Sequence, residues 1–114
     1  SSRTPVSLSD ADINLMAAVM TLECGNESYE GQLAVANVIL NRLQSGAWGS
    51  TISSVVYAAN QFSVVSDSRL QGLIQNGAQA SCIQAARDAC AGNNNIGDVI
   101  PSCKICGYKY TWNL

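Results

Sequence analysis

Behind the polar run SDAD, apolar residues fall at Ile13, Met16, Ala17, Val19 and Met20, the spacing of one buried helix face. Ser9 is placed to cap this helix, and Asp10 and Asp12 lie in its first turn, where the backbone dipole favours anions. The pattern runs to about Glu23, and Gly25 and Asn26 stop it. Ser28, flanked by Glu27 and Glu30, opens a second helix to about Gln44. Its sequence, YEGQLAVANVILNRLQ, is apolar on nearly every side except a narrow stripe at Glu30, Asn37, Asn41 and Gln44. A helix of that kind belongs at the centre of a domain.

The loop SGAWGS follows, then Thr51 caps a short helix in TISSVVYA, and NQFSVVSDS connects without a clean period. Two further helices are predicted, over about 69–75 and 78–91, the second with Cys82, Ala85, Ala86 and Ala89 on one side. From Asn93 the chain reads as loop and strand. Val99 and Ile100 precede Pro101, and in GYKYTW the residues Tyr108, Tyr110 and Trp112 alternate onto one face. The expected fold is α+β and mainly helical: a compact domain with a small C-terminal β-sheet. No internal repeat is visible.

A chain of 114 residues supports one domain, here 8–114, and SSRTPVS (1–7) reads as a leader or linker. The 47% apolar and 12% charged composition supports a buried core. The net charge of −2 comes from scattered residues, so no basic patch exists to follow a phosphate backbone, and nucleic acid is not an expected partner. The absence of histidine removes Ser-His-Asp and Cys-His catalysis and the commonest transition-metal ligand. The remaining chemistry belongs to carboxylates, hydroxyls, thiols and lysines, with no cofactor implied. No twenty-residue apolar run spans a membrane, and no segment has the layout of a signal peptide; a secretion signal is expected to have been removed ahead of Ser1. Nothing in the pattern demands more than a monomer.

Five cysteines in so short a chain suggest an oxidising compartment. Cys24, inside an apolar helical run, reads as a small buried core residue. Cys82, Cys90, Cys103 and Cys106 are the disulfide candidates. If 82–90 is helical, the α-carbons of Cys82 and Cys90 lie about 12 Å apart and cannot bridge each other, which leaves two connectivities between the segments. A chain that turns back after the helix pairs Cys90 with Cys103 and Cys82 with Cys106. A structural zinc on the same four thiolates is the competing reading, and the helical spacing of the first pair disfavours it.

Among the eight acidic residues, Asp10, Asp12, Glu27 and Glu30 lie at helix N-termini, where a charge is stabilising by roughly 0.3–1 kcal/mol. Asp67 has Arg69 as a ready salt-bridge partner. Glu23 breaks the pattern. It ends an apolar helix, between Leu22 and Cys24, where both the dipole and desolvation oppose its charge and raise its pKa. A carboxyl kept protonated near neutral pH is what a general acid for glycosidic cleavage requires.

The run LECGNESYEGQLAVANVILNRLQSG, followed by TISSVVYAANQFSVV, resembles the SleB/CwlJ-type cell wall hydrolases, the spore cortex-lytic family, over about 8–91. The resemblance implies a small lysozyme-like helical fold that cleaves peptidoglycan glycan strands between N-acetylmuramic acid and N-acetylglucosamine, outside the cytoplasm, in cell wall or spore cortex. It implies lytic transglycosylation by one glutamate ahead of the GQxAVA helix, which by position is Glu23. Glu27 matches the second acid of the turn and is a possible supporting carboxylate, while Tyr29, Gln61 and Phe62 match positions expected to line the glycan groove. Cys24 and Asn26 stand where the family has a small residue and commonly a basic one. The tail from Ile96, with Pro101 and the CxxC of Cys103 and Cys106, is unlike the family's usual ending. Two other readings compete: a hydrolytic muramidase using Asp67 or Glu27 to position water, and a disulfide-stapled module that binds the wall without cutting it.

Overall fold

Hydroxyl side chains fix the starts of the first three helices. Ser9 Oγ accepts from the Asp12 N–H at 3.1 Å ahead of α1 (Asp10–Cys24), and Ser28 Oγ from the Gly31 N–H at 3.2 Å ahead of α2 (Tyr29–Ser45). Thr51 and Ser54 exchange side-chain and backbone bonds ahead of α3 (Ile52–Val56). Each cap satisfies a first-turn N–H that has no acceptor within its own helix. α2 ends at Gly46, whose φ of 75° is a left-handed conformation that suits glycine. A 3₁₀ turn at Ser63–Ser66 leads to α4 (Leu70–Asn76) and α5 (Ala80–Cys90). This computed structural model describes residues 2–58 and 62–98.

The core lies around α2, which packs most extensively on α5 and also contacts α1 and α3. α1 crosses the same core and touches α5, α3 and α4. Val35, Val38, Ile39 and Leu40 of α2 meet Met16, Val19 and Met20 of α1, Val55 of α3 and Ala85, Ala86 and Ala89 of α5 within one buried cluster. The small alanines of α5 let its backbone come close to α2.

The polar stripe of α2 is where non-helical chain attaches. Asn37, fully buried, donates to the Leu33 carbonyl at 3.0 Å and the Asn93 carbonyl at 2.9 Å, and its Oδ1 accepts from the Arg3 guanidinium at 3.0 Å. Asn41 donates to the Gly97 carbonyl at 2.9 Å, Asn95 returns a bond to the Glu30 carbonyl, and Gln44 accepts from Arg3 at 2.7 Å. Residues 2–6 are tied by the Arg3 and Val6 N–H groups to the carbonyls of Gly92 and Cys90.

The expected small C-terminal β-sheet is not seen. Among the described residues there is no strand; backbone pairing outside the helices is limited to isolated bridges between Ser2 and Asn93 and between Ala47 and Gly49. The described architecture is therefore mainly helical and not α+β. The physical reason lies in the core. Among the described residues the helices satisfy their own backbones and bury one another's apolar faces, and the asparagine stripe takes up the loop carbonyls, so this core is closed by helices without a sheet. Val99, Ile100, Tyr108, Tyr110 and Trp112, whose alternation suggested strands, lie outside the described residues.

Replacing Asn37 by alanine removes the amide that joins α2 to the 93–97 loop and leaves the Asn93 carbonyl without that donor. The expected loss is about 1–3 kcal/mol of unfolding free energy, measured by urea denaturation, with helical content at zero urea unchanged.

Candidate active site

The site candidate lies at the last turn of α1. Glu23 is 7% exposed, and it is the one buried acid among the described residues. No basic residue occupies the last turn of α1, so the helix's own sequence does nothing to offset the negative end of its dipole. The adjoining turn is held from three directions. The Gly25 N–H bonds the Thr21 carbonyl at 3.1 Å and the Glu27 N–H bonds the Cys24 carbonyl at 2.9 Å. From α2, Gln32 Nε2 donates to the carbonyls of Gly25 at 3.3 Å and Glu27 at 3.2 Å. From the residue preceding α5, Gln79 Nε2 donates to the Gly25 carbonyl at 2.9 Å, while its backbone N–H reaches Thr21 Oγ1 at 3.1 Å.

Gly25 is required here by closeness, since its φ of −58° is ordinary. A Cβ at this position would sit 2.4 Å from the Thr21 carbonyl oxygen and 2.9 Å from Gln79 Oε1, too near for any side chain. The turn that follows Glu23 is thus packed down by glycine and laced by two glutamine amides.

Beside this turn an open cleft of about 700 Å³ runs between α1 and α4. Thr21, Leu22 and Asn26 line one wall, and Arg69, Leu73 and Asn76 line the other. Asn26 therefore faces a surface able to hold a polar ligand. Arg69 is engaged by Asp67 through a 2.7 Å ion pair, and Asp67 also accepts from the Arg69 backbone N–H at 2.8 Å. Those bonds hold the Asp67 carboxyl down to about 2.

The other predicted residues are distributed as follows. Glu27 lies in the laced turn, half-buried. Tyr29 is exposed at the start of α2, and its hydroxyl donates to Asp88 of α5, which also accepts from Gln84 at 2.8 Å. Phe62 is only 2% exposed. Gln61 lies outside the described residues. Cys82 and Cys90 are buried thiols, and Cys103 and Cys106 are outside the described residues.

Arg42 escaped the reading of the sequence. It is wholly buried near the end of α2, with the Trp48 ring centroid 5.2 Å and the Phe62 centroid 5.1 Å from its guanidinium carbon. Two aromatic rings over a planar cation contribute roughly 0.5–2 kcal/mol each. Phe62 is thereby committed to Arg42, and the pair anchors the 47–49 loop and the chain leading into the 3₁₀ turn on α2. Gln32 and Gln79 were also missed, and their roles depend on contacts with a turn that their own neighbours in sequence do not reveal.

The sequence model described as Cell Wall Hydrolase matches residues 26–101, and the chain belongs to that family. The matched segment begins after Glu23. Among curated proteins, the chain is 44% identical over 66 residues to a spore cortex-lytic enzyme of Oceanobacillus iheyensis, covering 58% of this chain and 24% of that protein. It is 42% identical over the same length to a spore cortex-lytic enzyme of Halalkalibacterium halodurans, covering 58% of this chain and 20% of that protein, and 38% identical to one of Bacillus subtilis, with 58% and 22% covered. The match thus spans about a quarter or less of each of these relatives. No solved structure matches. No helix among the described residues is long and apolar enough to cross a membrane.

The Asp67 and Arg69 pair gives a direct pH test. A depressed folded pKa means that the pair's contribution is present above the unfolded carboxyl value, about 3.9, and is lost as pH falls through about 2. A carbon-13 titration of the Asp67 side chain is expected to show a midpoint near 2, and the Arg69→Ala change is expected to return it to the ordinary aspartate range.

Proposed function

We propose that this domain cleaves peptidoglycan glycan strands between N-acetylmuramic acid and N-acetylglucosamine, as a lytic transglycosylase with Glu23 as its single acid and base. The observation that carries the reading is the burial of Glu23, alone among the described acids, at the negative end of a helix. Both features favour the protonated carboxyl, the form able to donate to a glycosidic oxygen. The family membership supports the same substrate class, as do the relatives named as spore cortex-lytic enzymes. Action outside the cytoplasm, on cell wall or spore cortex, follows from that substrate.

In this mechanism the Glu23 proton passes to the glycosidic oxygen as the bond to muramic C1 breaks, and charge develops on the sugar ring. The Glu23 carboxylate then takes the proton of the muramic C6 hydroxyl as that oxygen closes on C1. The product carries a 1,6-anhydromuramic end, and Glu23 regains its proton, so no water is consumed. The cleft flanking the Glu23 turn, with the Asn26 and Asn76 amides and the Leu22 and Leu73 side chains, offers the mixture of hydrogen-bonding and apolar surface that a glycan uses. A hydrolytic muramidase would need a second carboxylate to activate water. Asp67 is already committed to Arg69, and Glu27 is the remaining acid of the turn.

Mass spectrometry of the soluble products from purified wall and cortex peptidoglycan distinguishes the two. Muropeptides one water lighter than hydrolysis products, without a reducible end, are the expected result. Reducing muramic ends would overturn transglycosylation, and no fragments at all would leave a wall-binding module. The Glu23→Gln change is expected to lower cleavage by roughly 10²–10⁴-fold while binding to insoluble peptidoglycan persists. Retained cleavage would remove Glu23 from the mechanism.

A further inference from the structure

Cys24, the residue after Glu23, meets Cys82 of α5. Both are buried, at 2% and 0% exposure, in one core cluster where α1 packs on α5, and their thiols interact there. Cys24 Sγ donates to the Met20 carbonyl at 3.2 Å, one turn back in its own helix. The same seam is crossed at Thr21 and Gly25 by the two bonds from Gln79, so the backbones on either side of the thiols are already pinned together. In this structure both stand as free, buried thiols.

We propose that Cys24 and Cys82 form a disulfide in the exported protein, a covalent tie between the turn that carries Glu23 and the first turn of α5. This pairing displaces the one expected between Cys82 and Cys106. It also takes Cys24 out of the role of a solitary core residue. The compartment argument rests on the wall-cleaving reading, because disulfides persist where peptidoglycan lies; the geometry does not depend on that reading.

The bond forms by exchange with an external disulfide. Cys24 and Cys82 each lose a proton and together give up two electrons as their sulfurs join. The external disulfide is cleaved, accepts those two electrons and two protons, and leaves as two thiols. The proton chemistry of the pair fits sulfurs that compete for one hydrogen. The neighbouring Cys24 thiol pulls Cys82 down to about 7, with the Thr21 and Ser81 hydroxyls adding to it, and the closeness of Cys82 together with burial pushes Cys24 up.

The test is to fold the whole chain in a mixture of oxidised and reduced glutathione, block free thiols under denaturing conditions and map the linked peptides by mass spectrometry. The expected product joins the Cys24 peptide to the Cys82 peptide. Cys82 linked to Cys103 or Cys106, or Cys24 and Cys82 both recovered as blocked thiols, overturns the proposal. A second measurement uses the chain with Cys90, Cys103 and Cys106 all changed to alanine. Reductant is expected to lower its melting temperature by roughly 10 °C, and the further Cys24→Ala change is expected to abolish that response. A melting temperature indifferent to reductant before that change overturns the proposal as well. Neither readout involves glycan cleavage, so failure here and failure of the lytic reading are separate events.

Discussion

Everything in this fold depends on the burial of α2. Eleven of its seventeen residues are buried, on all sides of the helix, so it has no free face and must be enclosed by its neighbours. α1, α3 and α5 supply that enclosure. Their apolar residues are spaced to fit it, as the alanines of α5 and the methionines of α1 illustrate. Apart from Gln32 and Arg42, the buried polar side chains of α2, Asn37 and Asn41, lie on one stripe. Because buried amides must be satisfied, that stripe dictates where the loops lie: Asn37 and Asn41 bind the carbonyls of Asn93 and Gly97 and thereby bring the chain after α5 back across α2.

The placement of Glu23 follows from the same enclosure. α1 is long enough to cross the core and end beside the start of α2, joined to it by a short turn, and Glu23 is buried at that end. Two glutamines then tie the turn's carbonyls to α2 and α5, so the orientation of the last helical turn is set by three elements. The backbone that carries the buried carboxyl is thereby held in one place. The same logic makes Arg42 intelligible. A cation buried deep in α2 is tolerable where aromatic faces cover it, and Trp48 and Phe62 do so from loops on either side of α3.

What was legible in the sequence was local. Ser9, Ser28 and Thr51 announce helix starts through bonds to residues three positions on, and the structure contains each of those bonds. Glu23 was visible because it violates a local rule. The failures are of the opposite kind. The expected sheet was read from local alternation in the tail, and the described residues, mainly helical, contain no strand. Arg42 was hidden by an adequate local explanation, since a cation in the last turn of a helix is ordinary. Gln79 lies 54 residues from the carbonyl it binds, so no reading of its neighbours could assign that role.

The cysteines show the same division. Spacing along one helix correctly forbids a bond between Cys82 and Cys90, because periodicity fixes their separation. It cannot say which distant residue stands opposite Cys82, since that depends on the angle at which α1 crosses α5. The crossing is set by core packing, and it brings Cys24 there. A thiol in a helix therefore has its partner chosen by the hydrophobic contact between helices. In this chain the last turn of α1, which packs in that contact, also carries Glu23, so the thiol pair and the buried carboxyl share one packing arrangement.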